Sequence, residues 1–353
     1  MIPFENRAVL LLASYDFESL QLTLFSLDHT LSAEETVVIV LNGKKTYAAD
    51  LVERVARGWA AENAYKRHVV RPLGAGEGGY TAITEILNEY KPLKATEFIC
   101  KIDDDIIPLN KLWVDTLANQ FELLSKISPV GFTTGLINNN SWGFNELLDI
   151  FNKRNEYEQL MDYPSVAGYT GSRIVEPGKV DDGLYGTLWQ YPYLGWWIHE
   201  LTSCQVQEFV AKTRDLTIKE IPQETYYSIG CVFFKKQLWY DLEPARYKTS
   251  FDEMLIHETC REKNLKKYAV LSEPMIHLFY NKQRQSNREL INLIATGLGK
   301  YFNDERFNTL KKMNTEDLGL MMAEKVNTLQ NEITAIKTDL TLLFNSIEIS
   351  NNT

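Results

Sequence analysis

No apolar stretch in this chain comes near the ~18 to 20 residues that cross a bilayer. The longest, "AVLLLA" and "VVIVL", run to six and five residues. A helical membrane span is therefore not expected, and "MIPFENR" lacks the charged-then-apolar order of a signal peptide. The expected location is the cytoplasm, free or at the inner face of the membrane. Cysteine is scarce as well: Cys100, Cys204, Cys231 and Cys260 form no CxxC pair. Neither a zinc knuckle nor a disulfide framework follows, and the four read as reduced, buried thiols. Basic residues are outnumbered, with 37 Lys and Arg against 47 Asp and Glu and a net charge of -10. Nucleic acid needs clustered Lys and Arg, so it is not an expected partner.

What the 353 residues do contain is ample core material, since 44% are hydrophobic. "AVLLLASY" reads as a buried strand, "ESLQLTLFSLDHTL" as a helix, and "TVVIVLNG" as a second strand stopped by Asn-Gly. A second cycle follows: "AADLVERVARGWAAENAY" helical, "RHVVRPL" extended, "GAGEGGYTAITEILNEY" a glycine-rich turn opening a helix, and "EFICKID" a strand. Strands alternating with helices predict an α/β fold, a mostly parallel sheet flanked by helices, with ligands beyond the carboxyl ends of the strands.

"KIDDDI" falls at such an end. Residues i and i+2 of a strand share a side, so Asp103 and Asp105 converge while Asp104 faces elsewhere. Two close carboxylates repel unless a cation lies between them, and oxygen donors suit Mg2+ or Mn2+ completed by substrate phosphates. The plainer alternative is an acidic cap on the helix "LNKLWVDTLANQF". In "VVRPLGAGEGGYT", Arg71 is placed to neutralise phosphate, and Gly76, Gly78 and Gly79 let the backbone approach a ligand or simply form turns. No Gly-Lys-Ser/Thr follows, so this is not a P-loop. His29, His68, His199 and His257 belong to no constellation and receive no role.

The order strand, helix, "VIVLNG", glycine-rich turn and "KIDDDI" resembles the nucleotide-sugar-binding half of GT-A (Rossmann-like) glycosyltransferases, especially family 2, whose D-x-D motif would be Asp103-Asp104-Asp105. "YYSIGCVFFKKQLWYDL" and "FDEMLIHETCREKNLKKYAVL" resemble the later parts of that family, and "EPMIHLFYNKQRQSN" its closing strand. The resemblance covers residues 7 to about 290. It implies an inverting hexosyl transfer from a nucleotide-diphosphate sugar, taken as a UDP-sugar, to a hydroxyl of a glycan or lipid-linked acceptor in surface polysaccharide synthesis. It further implies metal ligation by Asp103, Asp105 and His277, nucleotide contacts from Ala13, Ser14, Tyr15, Asn42, Asp103 and Asp104, and basic contacts from Lys282 and Arg284. Asn42 stands where the family has Asp. The base is Glu253 or Asp252, whose order is transposed relative to the family's Glu-Asp pair. The competing readings are a nucleotidyltransferase, against which "ASYDFESLQ" lacks a glycine-rich basic signature, and a non-catalytic sugar-binding scaffold.

On this reading residues 1–300 form the catalytic domain (1–110 nucleotide half, 226–300 acceptor half) and 301–353 a helical region. The 141–225 insertion carries Trp189, Tyr191, Tyr193, Trp196 and Trp197. These serve to stack a sugar, to build a satellite core, or to dock at a membrane surface. In the tail Met322, Val326, Leu329, Ile333, Ile336, Leu340, Leu343 and Ile347 recur at intervals of four and three. That is a heptad seam, predicting a coiled coil and a homo-oligomer of two, three or four chains, with packing onto the catalytic domain as the alternative.

Overall fold

The computed structural model describes residues 2–139, 141–161, 192–225, 227, 229–278 and 288–310, and in the tail 319–320, 322–324, 326–327, 330–331, 334 and 337. The first part alternates as the hydrophobic pattern predicts: β1 (Arg7–Ala13), α1 (Phe17–Thr30), β2 (Val37–Leu41), α2 (Tyr47–Ala61), β3 (Arg67–Val70), α3 (Gly79–Glu89) and β4 (Phe98–Asp103). Strand β2 is buried along its whole length, as expected of a strand covered on both faces. Local chemistry sets the helix starts. Asp16 accepts the amides of Glu18 and Ser19 to open α1, and Thr46 accepts that of Ala49 to open α2.

After β4 come β5 (Ile106–Pro108), α4 (Trp113–Ser125), β6 (Val130–Ile137), β7 (Ile218–Ile221), β8 (Cys231–Lys235) and β9 (Lys266–His277). The strands join one nine-stranded sheet in the order β3-β2-β1-β4-β8-β6-β9-β5, with β7 pairing to β9. β1, β2, β3, β4, β6 and β9 run one way; β8, β5 and β7 oppose them. β8 is the element that shapes the ligand end. Because it runs antiparallel to β4, its start lies beside the end of β4, with Cys231 opposite Ile102.

Part of the insertion is core. Phe144, Tyr157 and Trp197 are buried together, with Phe144 5.3 Å from Tyr157 and 6.3 Å from Trp197 between ring centroids. The Trp197 indole donates to Glu156. Trp189 and Tyr191, and the side chain of Tyr193, lie outside the described residues. So do Leu329, Ile333, Ile336, Leu340, Leu343 and Ile347 of the tail. Among its described residues Leu320, Met322 and Val326 are exposed. No helix among the described residues is long and apolar enough to cross a membrane.

Two carboxylates inside the fold differ in how they are neutralised. Glu35 is paired with Arg7 at 2.8 Å, and Arg7 also reaches Asp115 at 2.9 Å, tying β1 to α4. Glu273, only 6% exposed, is hydrogen-bonded by Thr116 and Asn110, and burial pushes its pKa up to about 7. A carboxyl whose folded pKa is raised contributes stability that is complete below its unfolded value near 4.5. That contribution is lost as pH rises through about 7, a swing on the order of 3 kcal/mol. Glu273→Gln is therefore expected to raise the melting temperature by a few degrees at pH 8 and by nothing measurable at pH 5. Melting curves across that range check it; a gain independent of pH would show that Glu273 is not the group responsible.

Candidate active site

The acidic triplet sits where β4 leaves the sheet beside β1, with Leu12 paired to Asp103. Its three carboxylates go to three different partners. Asp103 faces Lys101, whose Nζ lies 2.8 Å from its Oδ1, and its backbone amide donates to the Gly230 carbonyl at 2.8 Å. Asp104 turns into the fold and accepts the Ser14 amide at 2.9 Å, while its own carbonyl accepts the Thr23 hydroxyl. Burial, reinforced by Asp105, pushes its pKa well above the ordinary value. Asp105 lies 3.4 Å from His277 Nε2. β4 ends at Asp103, and Asp104 and Asp105 lie in the turn that follows, so the turn rather than strand alternation sends the three carboxylates apart.

The second wall comes from the helix Asp252–Glu262. Its first residue directs Oδ2 to 4.0 Å from Lys101 Nζ, while Oδ1 accepts the Glu253 amide. That same Oδ2 lies against the start of α3: a Cβ on Gly79 would come within 2.7 Å of it. Gly78, the residue before α3, has φ of +121°, and Gly76 has φ of +89° with Lys44 packed where a side chain would be. The glycines are therefore required here, two by conformation and Gly79 by close approach. An anionic group already rests at the N-terminal end of α3, which the exposed amides and the helix dipole favour.

Glu253 is half-buried at the same place. Burial, opposed by Lys101 and reinforced by Asp252 and Asp103, pushes its pKa up to about 8. Asp103 goes up to about 6, burial again outweighing Lys101. His277 shows the opposite balance: burial disfavours its imidazolium, but Asp105, with Asp103 and Glu253 beyond it, raises its pKa. Its backbone is fixed from both sides, its amide donating to Asn138 Oδ1 and its carbonyl accepting from Asn139. Asn138 in turn reaches Thr202 and Ser203, and Ser203 meets His199, so the insertion braces the end of β9. His199 and His257 are both buried, and burial lowers each pKa to about 3.

Other sequence-assigned residues divide clearly. The Ala13 carbonyl accepts the Asn42 amide, Asn42 Oδ1 accepts the Gly76 amide, and the Tyr15 hydroxyl accepts the Lys44 amide at 2.8 Å, so the ends of β1 and β2 and the glycine loop form one shelf. Tyr15 is 47% exposed and offers a ring face there. Arg71 is turned to internal work, bound to the Gly43 carbonyl at 2.8 Å and to Glu53 at 2.9 Å. Lys282 and Arg284 lie outside the described residues. Lys101, Asn138 and Asn139 received no role from the sequence.

The donor set bears on a divalent ion as follows. Among the described residues no group of three or more His, Cys, Asp and Glu side chains is placed to hold a metal. Asp103 is engaged by Lys101 and Asp104 by backbone. Asp105 and His277 pair with each other, an oxygen and a nitrogen 3.4 Å apart. Neighbouring donors on one ion, each ~2.1 Å from it, stand ~3 Å apart. The chain thus offers a two-donor seat, sufficient only where a ligand brings further oxygens.

Fold and site define an α/β protein with a polar, carboxylate-rich cluster at the carboxyl ends of parallel strands, a place where such sheets bind ligands. No protein-family model and no curated protein matches the chain. Among solved structures it is similar to a CMP:2-keto-3-deoxy-manno-octonic acid synthetase complexed with CTP, at 9% identity and a TM-score of 0.38, covering 81% of this chain and 98% of that one. It is also similar to a cytidylyltransferase from Leptospira borgpetersenii serovar Hardjo-bovis, at 16% identity and a TM-score of 0.31, covering 59% and 89%. The glycosyltransferase expectation is corrected on these findings: both similar structures are cytidylyl-type enzymes, neither is a glycosyltransferase, and the hexosyltransferase activity is withdrawn. The physical reason for the error is that a strand-end acidic motif, a glycine turn and an acidic helix start suit any α/β site for a phosphorylated, metal-borne ligand. They do not encode which bond is broken.

Proposed function

We propose that the chain is a nucleotidyltransferase, joining the nucleotidyl group of a nucleoside triphosphate to an oxygen nucleophile and releasing pyrophosphate. The observation that carries this reading is the convergence of the glycine-lined start of α3, the Asp252–Glu253 pair and the Asp105–His277 pair at the ends of β1 and β4. The shelf from Ser14 to Asn42 receives the phosphates and the base, with Tyr15 offering its ring to the base. Mn2+ or Mg2+ arriving with the nucleotide would be held by Asp105 and His277 and would draw charge from the triphosphate; a nitrogen donor favours Mn2+. Asp252 is committed to Lys101 and to α3, which leaves Glu253 to take the nucleophile's proton. The nucleophile's oxygen forms its bond to the α-phosphorus as the bond to the bridging oxygen breaks. The departing pyrophosphate carries that electron pair.

The test is a panel of nucleoside triphosphates with Mn2+ and oxygen acceptors, sugar acids and sugar phosphates among them, assayed for pyrophosphate. Pyrophosphate release that requires both acceptor and metal is expected. Orthophosphate alone, or no product with any pair, would reject the reaction. Gly79→Ala should lower that release on the order of 100-fold by displacing the Asp252 carboxylate, since small misplacements at a reacting centre are that costly. Steady-state rates check it, and an unchanged rate would remove Asp252 from the site.

The tail belongs to self-association on the same reading, its exposed Met322 and Val326 opening the heptad seam read from the sequence. Deleting residues 318–353 is expected to reduce the mass measured by light scattering to that of one chain. A mass unchanged by the deletion would place the self-association elsewhere or nowhere.

A further inference from the structure

Lys101 is a buried lysine inside a strand that is otherwise apolar up to Asp103, and its environment is made almost wholly of site residues. Its Nζ lies 2.8 Å from Asp103 Oδ1 and 4.0 Å from Asp252 Oδ2, and it donates to the Ile229 carbonyl at 3.0 Å. The side chain is 3% exposed, against 30% for Asp103 and 14% for Asp252. The cation thus lies beneath the carboxylates. An ammonium taken out of water is costly unless charge and hydrogen bonds compensate it. Here the compensation comes from two chain segments about 150 residues apart and from the residue before the Gly230 carbonyl that receives the Asp103 amide.

From this geometry we infer that Lys101 is the resident counter-ion of the cluster, a positioning residue that holds the Asp103 and Asp252 walls together and occupies the place a divalent ion would otherwise take between them. The cluster then has two halves. One, formed by Asp103, Asp252 and the neighbouring Glu253, is neutralised by the protein itself before any ligand arrives. The other, Asp105 with His277, is the half to which a metal-borne ligand can bind. A strand lysine that served only packing would not need two carboxylates, and a metal cage would not enclose an ammonium. This inference concerns the same cluster as the proposed reaction and rests on that reading only for its place in catalysis. The charge arrangement stands without it.

The test uses Mn2+ alone, with no nucleotide, on the full chain. In an electron paramagnetic resonance titration of free Mn2+, Lys101→Met, which keeps an unbranched apolar chain but removes the ammonium, should bind Mn2+ at least ~10-fold more tightly than the unaltered chain. Asp103 and Asp252 would then face one another with no cation. Adding Asp103→Asn to Lys101→Met should return the isotherm to that of the unaltered chain. Superimposable isotherms for the unaltered chain and a folded Lys101→Met would overturn the inference. Where Lys101→Met is too unstable to titrate, melting curves decide. Asp103→Asn added to it should raise the melting temperature by relieving repulsion, whereas a double variant no more stable than the single one would make Lys101 a packing residue and overturn the inference. A failure of the nucleotidyl reading shows itself separately, as absent pyrophosphate release by the unaltered chain.

Discussion

Glu253→Gln is expected to lower pyrophosphate release ~100- to 10,000-fold, the usual contribution of a positioned proton acceptor, while nucleotide affinity changes little. The carboxylate that takes the nucleophile's proton must itself be ionised. With its pKa pushed up to about 8 by burial, Glu253 is largely protonated at neutral pH, so the rate of the unaltered chain should climb as pH rises through about 8 and fall away below it. The amide of the Gln variant does not titrate, so its residual rate should lose that limb. Pre-steady-state and steady-state rates between pH 6 and 9.5 separate the outcomes. A Gln variant with the same limb would assign the proton to another group, Asp252 first.

The second large effect is on stability. Arg7→Met should destabilise the fold on the order of 3 to 5 kcal/mol, because it removes one partner of a buried pair and leaves Glu35 without its counter-charge. Arg7 and Glu35 are each 1% exposed along their side chains, and the same guanidinium holds Asp115 on α4. Burial already raises the pKa of Glu35 against the pull of Arg7, and without Arg7 it rises further. A raised carboxyl contributes stability below its unfolded pKa and loses it above, so the deficit of Arg7→Met should be smallest in acid and grow towards neutrality. Adding Glu35→Gln should recover part of the loss. Urea denaturation at pH 5 and pH 7.5 measures both; a deficit below ~1 kcal/mol at pH 7.5 would mean that the pair is not buried as described.

Much of the first half was legible because its signals are local. "AVLLLA" and "VVIVL" are long enough for buried strands and too short for anything else. What local pattern does not encode is strand direction and distant partnership. β8 reads as one more apolar strand, and nothing within it says that it enters antiparallel between β4 and β6. Lys101 shows its partnership only when Asp252 is brought beside it. The expectation set a divalent cation between Asp103 and Asp105; the structure sets an ammonium, that of Lys101, near Asp103 and Asp252. Arg71 shows the converse, an arginine in a glycine-rich context whose position is explained by Glu53 and the Gly43 carbonyl. The signal that could have marked Lys101 was present in "CKIDDD": a lysine at an inward position of a buried strand, two residues before an aspartate on the same side.

The most direct measurement is equilibrium dialysis of labelled nucleoside triphosphates in Mn2+ against the unaltered chain, Asp105→Asn and His277→Ala. At least one nucleotide is expected to bind the unaltered chain with Kd below ~1 mM, and each substitution should weaken it tenfold or more, as removal of a metal-site group commonly does. Retention of none of the nucleotides by the folded, unaltered chain, or equal retention by all three proteins, would contradict a nucleotide site at the ends of β1 and β4.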